Sequence, residues 1–167
     1  MALNLEQSSG LTAQFGNAVY ANSGAANTNI STTNATTYCL SGVAYSGAIK
    51  AAAAAPTTDF NGKAPTAILG AQAAVVVIGF DSSGALQFLQ GPVTAYTNQV
   101  ALSTHLVKPA IPAGFCPIAY QVIKNKNTAG TAGWTFGTSN FNAASVSFET
   151  AVQVAQLPNF GLFNQTA

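Results

Sequence analysis

The chain has 167 residues, of which 5% are charged, against roughly 25% in an ordinary soluble domain. Four carboxylates, five lysines, one histidine, no arginine and a net charge of +1 leave neither the basic surface nor the bidentate forks that phosphate and base recognition need, so nucleic-acid binding is excluded. The 49% apolar content overstates the core, because 32 residues are alanine and more than half of the chain is Ala, Thr, Ser, Asn or Gly.

A single domain is expected at this length, burying roughly 68 to 70% of its unfolded surface. A near-neutral, sparsely charged surface favours association. Burying an unpaired ion costs several kcal/mol, whereas Thr, Asn and Gln are satisfied by neutral hydrogen bonds, so interface centres are poor in charge. The composition therefore predicts an assembling chain whose surface is largely contact. Met1–Gly10 lacks a basic start followed by an apolar stretch, and the longest apolar run, Ala73–Phe80, is far below 18 residues. Neither an export signal nor a membrane span is expected.

Residues 1–37 are rich in Ser, Asn, Thr, Gln and Ala, with scattered apolar residues at Leu3, Leu5, Leu11, Phe15, Val19 and Tyr20. This segment reads as an N-terminal arm that orders by laying these apolar side chains on a partner, Leu3, Leu5, Leu11 and Phe15 foremost, preceding a domain over residues 38–167. From Tyr38 the pattern turns to strands: Tyr38, Leu40, Val43 and Tyr45 alternate with small residues if Gly42 supplies a bulge that resets the phase. The run Ile49–Ala55 is ambiguous, since alanine favours helix but the run is too short to hold one alone. Pro56, Pro65 and the segment Asp59–Lys63, with its Asn61-Gly62 pair, mark loop and turn.

The clearest local unit is a hairpin: a β-branched run over Ala73–Phe80, a turn at Asp81-Ser82-Ser83-Gly84, then Leu86 and Phe88 alternating with Gln87. Val75–Ile78, apolar on consecutive positions, predicts a central strand covered on both faces. Further on, Ile118, Tyr120 and Val122 are expected on one face, and Val146/Phe148 and Val152/Val154 alternate with polar residues. About seven or eight short strands separated by Gly, Pro, Asn and Ser clusters predict an all-β fold, a β-sandwich or barrel-like domain.

Chemistry is sparse. His105 alone titrates near neutral pH without a shifted pKa, and no nucleophile elbow or obvious orienting carboxylate accompanies it, so no catalytic residue is assigned. Cys39 and Cys116, 77 positions apart, fall short of a zinc set even with His105, and they are expected as small buried apolar residues rather than a disulfide. No metal or cofactor is expected. Asp81 reads as a turn cap. Trp134, Phe136 and Phe141 form either a surface patch for a glycan or partner, or an anchor that pins a long loop to the core; the anchor is the stronger expectation.

The blocks YCLSGVAYS, VVVIGFDSSGALQFLQGP, IPAGFCPIAYQVIKN and WTFGTSNFNAASVSFETAVQVAQLP together resemble a β-rich structural protein of tailed-bacteriophage virions, of the capsid decoration (cement) or head-fibre type. The pattern is carried by Tyr38 and Tyr45, Asp81 and Gly84, Pro117 and Ile118, Trp134, Gly137 and Thr138, and Leu157-Pro158, with Ala119 where the family often has glycine. The resemblance implies a virion protein made in the bacterial cytoplasm and placed on the capsid surface. There it would self-associate as a homotrimer and bind the major capsid protein. Its first rival is a head-fibre or tail receptor-binding module that contacts a host glycan. A second is a hydrolase, for which Asp81 and Glu149 would have to converge about 5 to 9 Å apart.

Overall fold

The computed structural model describes residues 12–14, 18–22, 28–96, 106–128, 133–143, 146–148 and 152–153. Those residues are all-β, with twelve short strands and no helix. Three antiparallel sheets are present. The first has the order β1 (Ala13–Gln14), β4 (Thr36–Leu40), β5 (Val43–Gly47). A second joins β2 (Tyr20–Asn22), β3 (Asn29–Thr32) and β6 (Lys50–Ala54) in that order. The largest runs β11 (Val146–Phe148), β10 (Cys116–Asn125), β7 (Gln72–Phe80), β8 (Leu86–Gln90), with β12 (Val152–Gln153) also on β10 and β9 (Thr94–Ala95) also on β7.

Strand β7 is central and buried on both faces, as its unbroken apolar run requires. Ala74, Val76, Ile78 and Phe80 enter the main core, while Val75 and Val77 enter a smaller cluster with Leu89 and Phe115. The smaller cluster is closed by Phe60, Leu106 and Ile111, so irregular chain covers this second face. Tyr20 and Ile30 from the second sheet, Tyr38 and Leu40 from the first, and Phe88, Ile118 and Ile123 from the largest all meet in the main core.

Three local expectations change. Gly42 does not bulge a single strand. Ser41 and Gly42, at φ 50° and 85°, are the two central residues of a tight hairpin turn, with Leu40 opposite Val43. Positive φ at both positions is what a two-residue turn needs to match the right-handed strand twist. Ile118 does not share a face with Tyr120 and Val122, because the β7–β10 register shifts between Pro117 and Ala119. That bulge sends Ile118 into the main core and leaves Tyr120 and Val122 against the smaller cluster. The alanine run forms strand β6, held by β3, and its own bulge sets Ala51 and Ala52 against Ser31, with Ala52 at φ 53°.

The boundary expected between residues 37 and 38 falls inside β4. Residues 18–22 and 28–37 supply β2, β3 and the start of β4, and Ala18, Tyr20 and Ile30 are buried in the main core. A polar-looking segment thus joins the fold by sheet pairing, which needs only backbone groups and a few inward side chains. Leu3, Leu5, Leu11 and Phe15 lie outside the described residues, as do His105 and Glu149.

Candidate interaction surface

Trp134, Phe136 and Phe141 come together as expected, and they do so inside. All three are buried, with Trp134 and Phe141 ring centroids 5.6 Å apart, Phe136 and Phe141 5.6 Å apart edge to face, and Phe136 4.3 Å from Phe88 of β8. The Trp134 indole N–H donates to the Asn140 carbonyl at 2.8 Å, and its backbone exchanges two hydrogen bonds with Ile68. Between the rings, Gly137 turns at φ 75° with its Cα facing the Pro56 carbonyl so closely that no side chain fits. The cluster is a loop anchor, and its rings are not presented to a ligand.

Asp81 is a cap. One carboxylate oxygen accepts from the Ser83 N–H at 2.8 Å, the Ser83 hydroxyl at 2.6 Å and the Ala85 N–H at 3.1 Å, and the other accepts from the Gln87 amide at 3.2 Å. Partial burial works to raise its pKa, but these hydrogen bonds to the ionised form outweigh it and hold the carboxyl below its ordinary value. Tyr38 donates its hydroxyl to the Asp81 carbonyl, tying the first sheet to the β7–β8 turn. Burial foremost, with the Asp81 charge beside it, pushes the Tyr38 phenol up to about 12.

The two thiols are free and buried. Burial, then the neighbouring Cys39, pushes the Cys116 thiol up to about 12, so it is protonated and a poor nucleophile at neutral pH. Among the described residues, no three His, Cys, Asp or Glu side chains are grouped to hold a metal ion. A cavity of about 230 Å³ opens between Asp59, Lys63, Thr66, Gln90 and Val93. One Asp59 carboxylate oxygen there is already occupied by the backbone N–H groups of Asn61 and Lys63, at 2.9 and 2.8 Å. That carboxylate shapes its own loop.

The surface carries more information than the cavity. Val43, Ile49, Leu69 and Val107 are large apolar side chains more than 40% exposed. Two of them belong to one continuous ribbon, Val43–Ala54, formed by β5, Ala48-Ile49 and β6. Eight of its twelve residues are exposed, and Lys50 is its sole charge. Strands β5 and β6 each lie at the edge of a three-stranded sheet, so the ribbon presents backbone as well as apolar side chains. Signals of it are present in the alanine run and the Ser41-Gly42 pair, but burial of one strand face cannot be judged from residues that are all small.

Comparison of the chain with known protein families, with curated proteins and with solved structures found no match.

Proposed function

We propose that this chain is a structural protein of a tailed-phage particle, a capsid decoration or cement protein that self-associates and binds the major capsid protein through neutral contacts. The observation that carries the reading is the exposed ribbon Val43–Ala54, twelve residues with one charge, on a chain with nine charged residues in all. Apart from Lys50, such a surface gains by leaving water without giving up ion solvation. The mechanism is binding energy: many copies of a modest contact, repeated on a symmetric shell, hold each capsomer by several bonds that must break together. The resemblance of the blocks between Tyr38 and Pro158 to virion proteins supports the same reading. A β-sandwich arrangement of the sheets and an arm carrying Leu3, Leu5, Leu11 and Phe15 onto the capsid belong to this proposal. The glycan-binding alternative relied on Trp134, Phe136 and Phe141, whose burial removes its named contact.

Mass spectrometry of purified particles, followed by adding the purified chain to particles that lack it, tests the proposal. The expected result is many copies per shell, saturable rebinding and a higher temperature of particle rupture. A chain absent from particles, or present in only a few copies at the tail, overturns it.

A further inference from the structure

We infer that the cavity between the Asp59–Thr66 loop and the end of β8 is a binding site for one neutral sugar ring, such as a single hexose unit. This goes beyond the assembly reading and uses neither the exposed ribbon nor the buried rings at Trp134.

The walls are fixed by the fold itself. The Asp59 N–H donates to the Lys63 carbonyl and the Gly62 N–H to the Asp59 carbonyl, both at 2.8 Å, so the loop closes on itself. The Phe60 N–H fastens one end of it to the Phe88 carbonyl of β8 at 2.9 Å, and the Gln90 amide fastens the other through the Thr66 carbonyl at 2.8 Å. On the far side the Gly91 N–H donates to the Val75 carbonyl of β7 at 2.8 Å, which holds the wall made by Pro92 and Val93. A site held in this way loses little freedom when it is filled.

Its polar groups keep unused bonding capacity. The chain has two aspartates, each in a turn, and they differ. Asp81 uses both carboxylate oxygens, the second on the Gln87 amide. Asp59 uses one, on the N–H groups of Asn61 and Lys63, and among the described residues nothing donates to the other. Gln90 is similar: with its amide N–H on Thr66, its Oε1 is buried and has no hydrogen-bond partner among the described residues. A buried acceptor in that state is unfavourable, and a donor seated in the cavity that Gln90 lines supplies what it lacks. The exposed Lys63 ammonium is a donor with no acceptor among the described residues.

These groups select the ligand. The Asp59 carboxylate opposes an anion and the Lys63 ammonium opposes a metal ion, so the ligand is neutral. It has to donate to two acceptors and accept from one cation. A hydroxyl does both, since it carries one donor and two acceptor lone pairs, and several hydroxyls on one ring serve the three groups together. The carbon surfaces of Pro65, Pro92 and Val93 suit the C–H bonds of the same ring. At about 230 Å³ the cavity lies below the roughly 300 Å³ at which drug-sized pockets begin, which suits one ring and not a longer chain. Its lining holds no aromatic side chain to stack on the sugar, so the expected Kd is weak, about 1 to 10 mM.

Amide NMR titration of the full chain with the methyl glycosides of glucose, galactose, mannose and N-acetylglucosamine tests this. At least one glycoside is expected to give saturable shifts centred on the amides of Asn61, Lys63, Gly91 and Val93. Asp59→Asn keeps the oxygen that caps the loop and turns the other into an N–H donor, and is expected to weaken binding at least tenfold. Asp81→Asn, the same exchange in the other turn, is expected to leave the affinity unchanged. Ala64→Phe fills the cavity from an exposed position and is expected to abolish binding while the Tm is kept. No saturable shift with any of the four glycosides, shifts centred elsewhere, equal weakening by the two Asp→Asn variants, or full binding by Ala64→Phe overturns the site. Tighter binding of a free amino acid or of inorganic phosphate than of any glycoside overturns the ligand class. Rebinding of the chain to particles reads the assembly function separately, so either can fail without the other.

Discussion

Single side chains set the turns on which the sheets depend, and Asp81 is the clearest case. Removing its carboxylate strands the N–H groups of Ser83 and Ala85 in a partly buried turn, and Asp81→Ala is expected to cost about 1 kcal/mol, the low end for charged hydrogen bonds because the site is wet. Its folded pKa is lowered, so the stabilisation is complete above the ordinary aspartate value and fades as pH falls through the folded one. Urea unfolding of the parent and of Asp81→Asn should therefore differ most at pH 5 to 7, with the gap shrinking as pH falls below the ordinary aspartate range; a constant gap would refute the linkage. Glycines give a second contrast. Gly62 and Gly137 both have positive φ, but a Cβ on Gly62 meets open space whereas one on Gly137 collides with the Pro56 carbonyl. Gly62→Ala should cost about 1 kcal/mol, or about 2 to 4 °C in Tm, and Gly137→Ala at least twice that, because only the second adds crowding to the left-handed strain. Equal shifts would mean that the loop yields freely at Pro56.

At the scale of elements, what the sequence made legible was whatever large residues declare by periodicity. The β7–β8 hairpin could be read because Val75–Ile78 leaves no polar face and Asp81-Ser-Ser-Gly84 permits little besides a turn. The doubly buried β7 and the loop anchor at Trp134 follow for the same reason. Strands β2, β3 and β6 stayed hidden, since Ala, Asn, Ser and Thr fit either face of a sheet and carry no phase, and register there is fixed by backbone partners far along the chain. The exposed edge of β5 is hidden for a related reason: the alternation around Ser41-Gly42 suits a bulge as well as a turn, and a bulge merges β4 and β5 into one strand. The structure accordingly changes what truncation should do. Deleting residues 1–37 removes β1–β3, takes the first two residues of β4, and strips Tyr20 and Ile30, each worth about 1.5 to 3 kcal/mol of burial, from the main core. Against a total stability of about 5 to 15 kcal/mol, and with β6 left unpaired, the 38–167 fragment is expected to lose cooperative unfolding and near-ultraviolet circular dichroism. A fragment that melts as sharply as the full chain would restore the arm-and-domain division.

For the whole molecule, the governing quantity is the scarcity of charge. Nine charged residues on 167 set a low ceiling on the ion pairs available to any interface, and exposed pairs contribute only about 0 to 1 kcal/mol each. The surface offered instead is the ribbon from Val43 to Ala54, where contact is apolar or backbone-mediated and Lys50 is the one charge. Salt acts on these two kinds of contact in opposite senses. Going from about 0.1 to 1 M NaCl shortens the screening length from about 10 to 3 Å and dissolves attachment held by charge, while apolar contact is left unchanged or slightly strengthened. Self-association and particle binding are therefore both expected to hold within about threefold across that range, as measured by sedimentation and by the fraction of chain retained on washed particles. Urea, which solvates apolar and peptide groups alike, should release the chain at concentrations well below those that unfold it. Release by salt with resistance to urea would mean that the few charges, and not the neutral ribbon, hold the assembly together.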